Sequence, residues 1–226
     1  MRKLVFIACC SLALLLTLNG CIHRKKQIKV QFINASPGSP YLDYYLQSTK
    51  RASFIGYNNC SNSNTADLLD GETCIAEARL NDNKITAVKF TDWRVGEHYT
   101  MITYNDYNNL RTALLRDTAI EPPAGKFLLR FMHFGTDAPA LDVYMNNIPV
   151  ALNKVYYGTD SLNAVGDYVE LNAGTYTVSV KDHNTNQTLF SVPNMGIEDR
   201  RILNMYATGK LTDSLTLSFC LGYAHQ

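Results

Sequence analysis

An apolar run long enough to span a bilayer, a charge imbalance and helical periodicity are all missing from this chain. Twenty-one Lys and Arg face twenty Asp and Glu, a formal net charge of +1. Phosphate backbones need a dense basic footprint, so a nucleic-acid partner is excluded. No Cys-x-x-Cys occurs, which removes sequence support for a zinc or thiol redox site. No Gly-x-Ser-x-Gly elbow and no phosphate loop occur either. His23, His98, His133, His183 and His225 are scattered, with none at metal-ligand spacing. The expectation is therefore no catalytic residues, no metal and no cofactor. No long stretch keeps a 3.6-residue apolar period, so no long helix is expected. The one sustained apolar stretch, residues 4–18, is too short to span a bilayer as a helix.

That stretch reads instead as a processing signal. Met1-Arg2-Lys3 is a basic start, and the run ends in Leu18-Asn19-Gly20-Cys21. It resembles the lipobox of bacterial lipoproteins, in which the cysteine is lipidated and becomes the first residue. Residues 1–20 are expected to be a lipoprotein signal peptide, with Cys21 lipidated. An ordinary secretory signal containing a cysteine is the bland reading. Residues 21–27 form a basic tether, Ile22-His23-Arg24-Lys25-Lys26 and Gln27, suited to anionic head groups. The chain is then an outer-membrane lipoprotein of a bacterial cell envelope, anchored but not spanning. Bases directly after Cys21 favour the periplasmic face over the cell surface.

The compartment permits disulfides. Cys9 and Cys10 leave with the signal, so Cys60, Cys74 and Cys220 remain. The expected bridge is Cys60–Cys74, closing a loop of about 15 residues worth on the order of 3 kcal/mol. Cys220 sits in the apolar run 215–221 and reads as a free, buried small hydrophobe.

The rest of the chain is short strands. Fourteen Tyr and nine Phe against one Trp favour strands over helices. Alternating or apolar runs are separated by turn clusters such as Ser36-Pro37-Gly38-Ser39-Pro40, Asn81-Asp82-Asn83 and residues 58–64. Spacing of that kind marks an antiparallel sandwich or barrel. The pattern also repeats. Phe127 to Met145, FLLRFMHFGTDAPALDVYM, echoes Lys29 to Leu46, KVQFINASPGSPYLDYYL. Phe131 falls on Phe32, Pro139 on Pro40, Leu141 on Leu42, Asp142 on Asp43 and Tyr144 on Tyr45, a constant offset of 99 residues. Such self-similarity predicts two copies of one unit, over 28–120 and 126–226. Residues 121–125, Glu-Pro-Pro-Ala-Gly, form a stiff, short linker.

HFGTDAPALDVYM, then YVELNAGTYTVSV, then RILNMYATGKLTDSLTLSF resembles the family known as domain of unknown function 4397. The second unit resembles it throughout. The first does so more loosely, through NASPGSPYLDYYL and GEHYTMITY. Gly38 stands there where the second unit has Asp137, and the stretch 58–70 is longer than the family needs. The resemblance implies an all-β chain of two tandem immunoglobulin-like antiparallel β-sandwich domains in a secreted or lipid-anchored bacterial protein. It implies no catalytic residues.

Few residues invite chemistry. Asp137 and Asp142 flank a tight loop, but calcium wants six or more oxygen ligands. The favoured reading of Asp43 and Asp142 is loop-fixing, each carboxylate accepting backbone N–H bonds. His133 stands where the first unit has Asn34 and reads as a satisfied polar residue. Tyr44-Tyr45 and Tyr156-Tyr157 should each place one ring inward and one outward. Outward rings suit sugars or protein partners, but cross-strand packing is the favoured role. Asp117-Thr118-Ala119, Asp160-Ser161-Leu162 and Asp213-Ser214-Leu215 fit a loose bacterial O-glycosylation pattern. The expected function is a non-catalytic, lipid-anchored envelope protein, a binding or structural module with a glycan or protein partner. The alternative is a periplasmic enzyme with its site in the interdomain cleft. An acid, base and nucleophile converging there would separate the two.

Overall fold

The computed structural model describes residues 26–69, 71–117, 120–212 and 215–221. The expected signal peptide and Cys21 lie outside these residues. The first unit contains β1 (Lys26–Asn34), β2 (Leu42–Leu46), β3 (Thr49–Ile55), β4 (Asn59–Cys60), β5 (Asn64–Leu68), β6 (Cys74–Leu80), β7 (Asn83–Phe90), β8 (His98–Tyr104) and β9 (Arg111–Arg116). The second contains β10 (Lys126–His133), β11 (Leu141–Met145), β12 (Ile148–Lys154), β13 (Val169–Asn172), β14 (Gly174–Asp182), β15 (Thr188–Ile197), β16 (Ile202–Thr208) and β17 (Thr216–Leu221). One short helix, α1 (Ser161–Ala164), lies between β12 and β13.

Each unit is a sandwich of two sheets. In the first, β4-β1-β8-β9 with β5 also on β1 faces β3-β2-β6-β7. In the second, β13-β10-β16-β17 faces β12-β11-β14-β15. Among the described residues no strand of one unit enters a sheet of the other. Pairing is antiparallel except at two equivalent places, where β1 runs parallel to β8 and β10 parallel to β16. Phe32 lies opposite Met101 there, and Phe131 opposite Met205. The fold is thus the all-β tandem expected, with one parallel pair in each copy.

The 99-residue offset has a local cause at the β2–β3 and β11–β12 hairpins. Both turn in two residues with positive φ, Gln47 and Ser48 at 49° and 61°, Asn146 and Asn147 at 48° and 68°. Asparagine suits that geometry; glutamine and serine do not. Both turns are tied down by an amide acting as a surrogate backbone. Asn146 Oδ1 accepts from Thr177 N while its Nδ2 donates to Thr175 O. Gln47 Oε1 accepts from Ile75 N while its Nε2 donates to Thr73 O.

Three cores result. Phe32, Leu42, Tyr44, Ala76 and Met101 fill the first sandwich. Phe127, Phe131, Leu141, Val143, Val178 and Met205 fill the second. The third lies between the units, where Ile33, Ile102 and Tyr104 meet Met132, Phe134 and Tyr206. Strands β8 and β16 are buried at every position, and β10 at all but its first. Strands alternate faces, so one side of each serves its own sandwich and the other the partner unit. The Pro122-Pro123 linker therefore joins two units that touch along a broad face, and it does not hold them apart.

The cysteines overturn the expected bridge. Cys60 pairs with Cys220, their Cα atoms 6.2 Å apart, and Cys74 is the free, buried thiol. Cys60 sits opposite Ile33 on β4, hence on the face turned toward the second unit, where β17 carries Cys220. Cys74 opens β6 in the other sheet and packs inside the first sandwich. Burial pushes its thiol up to about 12, so it stays protonated. Closeness in sequence misled because β5 runs along β1 between the two cysteines. The bridge closes a separation of 160 residues, for which the chain-entropy model gives about 5 kcal/mol. Replacing both Cys60 and Cys220 by alanine should lower the unfolding free energy by about 2–5 kcal/mol in a denaturant titration. A non-reducing peptide map should find 60 joined to 220 and Cys74 alkylated only after unfolding. A 60–74 peptide would refute the pairing.

Candidate functional site

A concave feature of mixed chemistry is the cleft between the units, a cavity of about 650 Å³. Glu97, Leu115, Arg116 and Asp117 line it from the β8–β9 side. Arg130, Tyr157, Ser161, Leu162 and Tyr168 line it from the second unit. Its floor is an ion pair, Arg130 with Asp117, whose side chains are only 5% and 8% exposed. The guanidinium donates from all three nitrogens. Nη2 reaches Asp117, Nη1 reaches the Arg116 carbonyl at 3.0 Å, and Nε reaches Asn204 Oδ1 at 3.1 Å. Thr100 Oγ1 donates to the Asp117 carboxylate and accepts from Asn204 Nδ2. Tyr168 lays its ring 4.8 Å from the guanidinium carbon and donates to Asn204 Oδ1. Nearer the rim, Glu97 pairs with Arg116.

This arrangement ties the two units together. Both arginines and two carboxylates of the lining are engaged with each other, across the unit boundary at Arg130–Asp117. Ser161 is the hydroxyl of α1, whose N-cap is Asp160, accepting from Leu162 N and Asn163 N. No histidine, cysteine or lysine is among the lining residues to take a serine proton. Asp167 is a third carboxylate of the same lining. Residues 118–119 and 213–214 of the other two glycosylation-like triplets lie outside the described residues.

The carboxylates singled out in the sequence stand elsewhere. Asp142 Oδ1 accepts from Asn153 N at 2.7 Å and contacts His183 Nδ1 at 2.9 Å. Asp43 Oδ1 accepts from Phe54 N at 3.0 Å, and its Oδ2 meets Lys50 Nζ at 2.6 Å. Asn153 and Phe54 are equivalent bulge residues with φ of 50° and 56°. The segment each aspartate holds is thus the bulge in the next strand, not the preceding tight loop. Asp137 turns away, accepting from Leu211 N and Thr212 Oγ1. Asp137 and Asp142 therefore serve different partners. Among the described residues, no cluster of three or more His, Cys, Asp or Glu could hold a metal ion.

The tight loops are fixed by Asn34 and His133. Asn34 Oδ1 accepts from Ser36 N, and His133 Nδ1 accepts from Gly135 N, each two residues on. That leaves His133 Nε2 to donate to the Pro139 carbonyl at 3.0 Å. Burial lowers the imidazole pKa from 6.5 to about 4, against the Pro139 carbonyl, which raises it. The first tyrosine pair alternates but its outward ring is covered, and the second pair lies outside the strands. Tyr44 and Tyr45 are both buried, at 0% and 5% exposure. Tyr45 is roofed by Arg79, 4.1 Å from its ring, and donates to Asp82. Tyr156 and Tyr157 pack around Tyr104 at the unit boundary. Charged side chains and a second unit cover faces that a single sheet would expose.

Two tests follow from this geometry. Asp117→Asn or Arg130→Met should each destabilise by about 3–5 kcal/mol, because each leaves a buried charge alone. The Arg130→Met/Asp117→Leu double variant should recover most of that in a denaturant titration; simple additivity would refute the pairing. For His133, the folded pKa lies below the unfolded one. Its contribution is present above 6.5 and is lost as pH falls toward and through about 4. The wild-type urea midpoint should therefore drop between pH 7 and pH 5 more steeply than that of His133→Asn. Equal slopes would contradict the assignment.

A family described as Domain of unknown function (DUF4397) matches the sequence twice, over residues 28–144 and 136–221. No curated protein matches. Among solved structures, a family CBM26 module, CBMbc of Amy13K from Eubacterium rectale, solved with maltoheptaose, is 10% identical. It covers 88% of this chain and 97% of its own, at a TM-score of 0.25. A candidate adhesin from Bacteroides ovatus is 11% identical, covering 89% of this chain and 94% of its own, at 0.26. Likeness at these scores has no weight for fold or function. The two family matches together take in most of the chain, and they fall on two copies of one β-sandwich: the protein belongs to the DUF4397 family and holds the domain in tandem.

Proposed function

We propose that the protein is a non-catalytic, lipid-anchored cell-envelope protein whose two sandwiches form one rigid binding or structural module. The observation that carries this reading is the Arg130–Asp117 pair. The cleft between the units is where an enzyme of this architecture would place its site, and there the charges hold one copy to the other. The Cys60–Cys220 bridge spans the same boundary and belongs in an oxidising compartment. The basic start, apolar run and Gly20-Cys21 supply the anchor.

The anchor is directly testable. In cells grown with labelled palmitate, the wild-type chain should take up label and fractionate with membranes. Cys21→Ser should lose both properties. A wild-type chain that is unlabelled and soluble would end the proposal of a lipid anchor.

A further inference from the structure

Tyr41 and Phe54 are the two most exposed aromatic residues of the described chain, at 65% and 77%. Their equivalents in the second unit are Ala140 and Asn153, at the same 99-residue offset. Phe54 is the more telling. Its φ is 56°, a left-handed conformation that asparagine adopts readily and a phenylalanine does not. Asn153 holds the same bulge in the second copy at 50°, so the fold itself asks for no phenylalanine there. An exposed ring in a strained backbone, where the sister copy has the relaxed residue, marks a position kept for something other than folding.

Tyr41 is accommodated in a matching way. Its ring lies over Gly56, where a Cβ would sit 2.9 Å from Cε1; the second unit has Val155 at that place. On the same unit a groove of about 350 Å³ is lined by β3 on one side and residues 60–64 on the other, and it includes the residues before and after Phe54. Ser53 and Ile55, the neighbours of Phe54, line it together with Arg51, Asn62 and Asn64. Where the first unit has this asparagine-rich edge, the second has α1.

We propose that this face of the first unit is an oligosaccharide-binding site, with Tyr41 and Phe54 stacking on sugar rings and Arg51, Ser53 and Asn62 meeting the hydroxyls. The inference rests on the reading of the protein as a binding module. The lining argues for sugar. Amides, two hydroxyls and a single guanidinium offer directional hydrogen bonds with little charge, and the two exposed rings offer flat apolar faces. A groove of this volume is of small-ligand size. A protein partner fits less well. Two rings present on the order of 150–250 Å² each, short of the ~800 Å² per side that a stable protein interface buries.

The test uses the detergent-solubilised full chain and four probes: cellohexaose, xylohexaose, mannohexaose and maltohexaose, titrated by calorimetry. At least one should bind. Phe54→Asn and Tyr41→Ala, the residues of the second unit, should each weaken it tenfold or more. Phe54→Asn should melt no lower than wild type, since it relieves the backbone, so lost binding would not reflect lost fold. Leu162→Ser, at the mouth of the interdomain cleft, should bind as wild type does. Binding that survives both aromatic substitutions and falls with Leu162→Ser would place the sugar in the cleft, overturning this inference while leaving the binding module intact. No binding of any probe would overturn the inference, whereas the anchor is decided separately by the palmitate experiment.

Discussion

The structure depends on four strands that pack apolar side chains from both of their faces. Strands β1 and β8 in one copy, β10 and β16 in the other, sit at the centre of their sheets and pair in parallel. Phe32, Met101, Phe131 and Met205 face their own sandwich cores. Ile33, Ile102, Met132 and Tyr206, one residue on, face the opposite unit. Sheets of a solitary sandwich turn one face to water and read as clean alternation. Here the outer face of each central pair carries apolar residues as well, beside Thr100, Arg130 and Asn204, and the sister unit covers them.

Apolar contact alone specifies no register, and the polar groups within that contact supply one. Thr100 and Asn204 occupy equivalent places on β8 and β16 and hydrogen-bond each other. Arg130 and Asp117 complete the network at the cleft floor, and Thr208 Oγ1 donates to the Ala35 carbonyl. Every one of these groups would be left unpaired by a slipped interface, at about 1–3 kcal/mol for a neutral group and more for a charge. The Cys60–Cys220 bridge closes one edge of the same surface. Outside this tied interface, Tyr41 and Phe54 of the first unit are displayed to solvent.

Much of the fold was legible because its causes are local. Strand positions follow from alternation and turn chemistry, and the 99-residue echo exposed the tandem through Phe32 and Phe131, Asp43 and Asp142. The candidate site was less legible. Asp43 and Asp142 accept backbone N–H groups as turn chemistry leads one to expect, but the acceptance spans a hairpin, so the segment they fix could not be named from sequence spacing. Tyr45 and Tyr144 alternate outward, yet Arg79 and Lys181 lie over them. Nothing in the order of residues announces which long cation folds back over which ring. A signal for the interface was present in KFLLRFMHF and HYTMITY, where apolar residues fall on both faces of the strand and the alternation is lost.

Most strands and turns, the repeat and the family are legible in the order of residues, because each is set within a few positions or by a fixed offset; β4 (Asn59–Cys60), inside the expected turn cluster 58–64, and α1 are not. The sequence by itself also determined the charge balance and the lack of catalytic motifs. Only the tertiary structure decided which cysteines meet. Cys60 and Cys74 are near in sequence but lie in different sheets, while Cys60 and Cys220 are separated by 160 residues and share a face. It likewise decided that Arg130 and Asp117 are one pair and that Phe54 is strained and exposed. Each of these depends on how one sandwich is set against another, or one strand against the next, and pairing across that distance has no periodicity to reveal it.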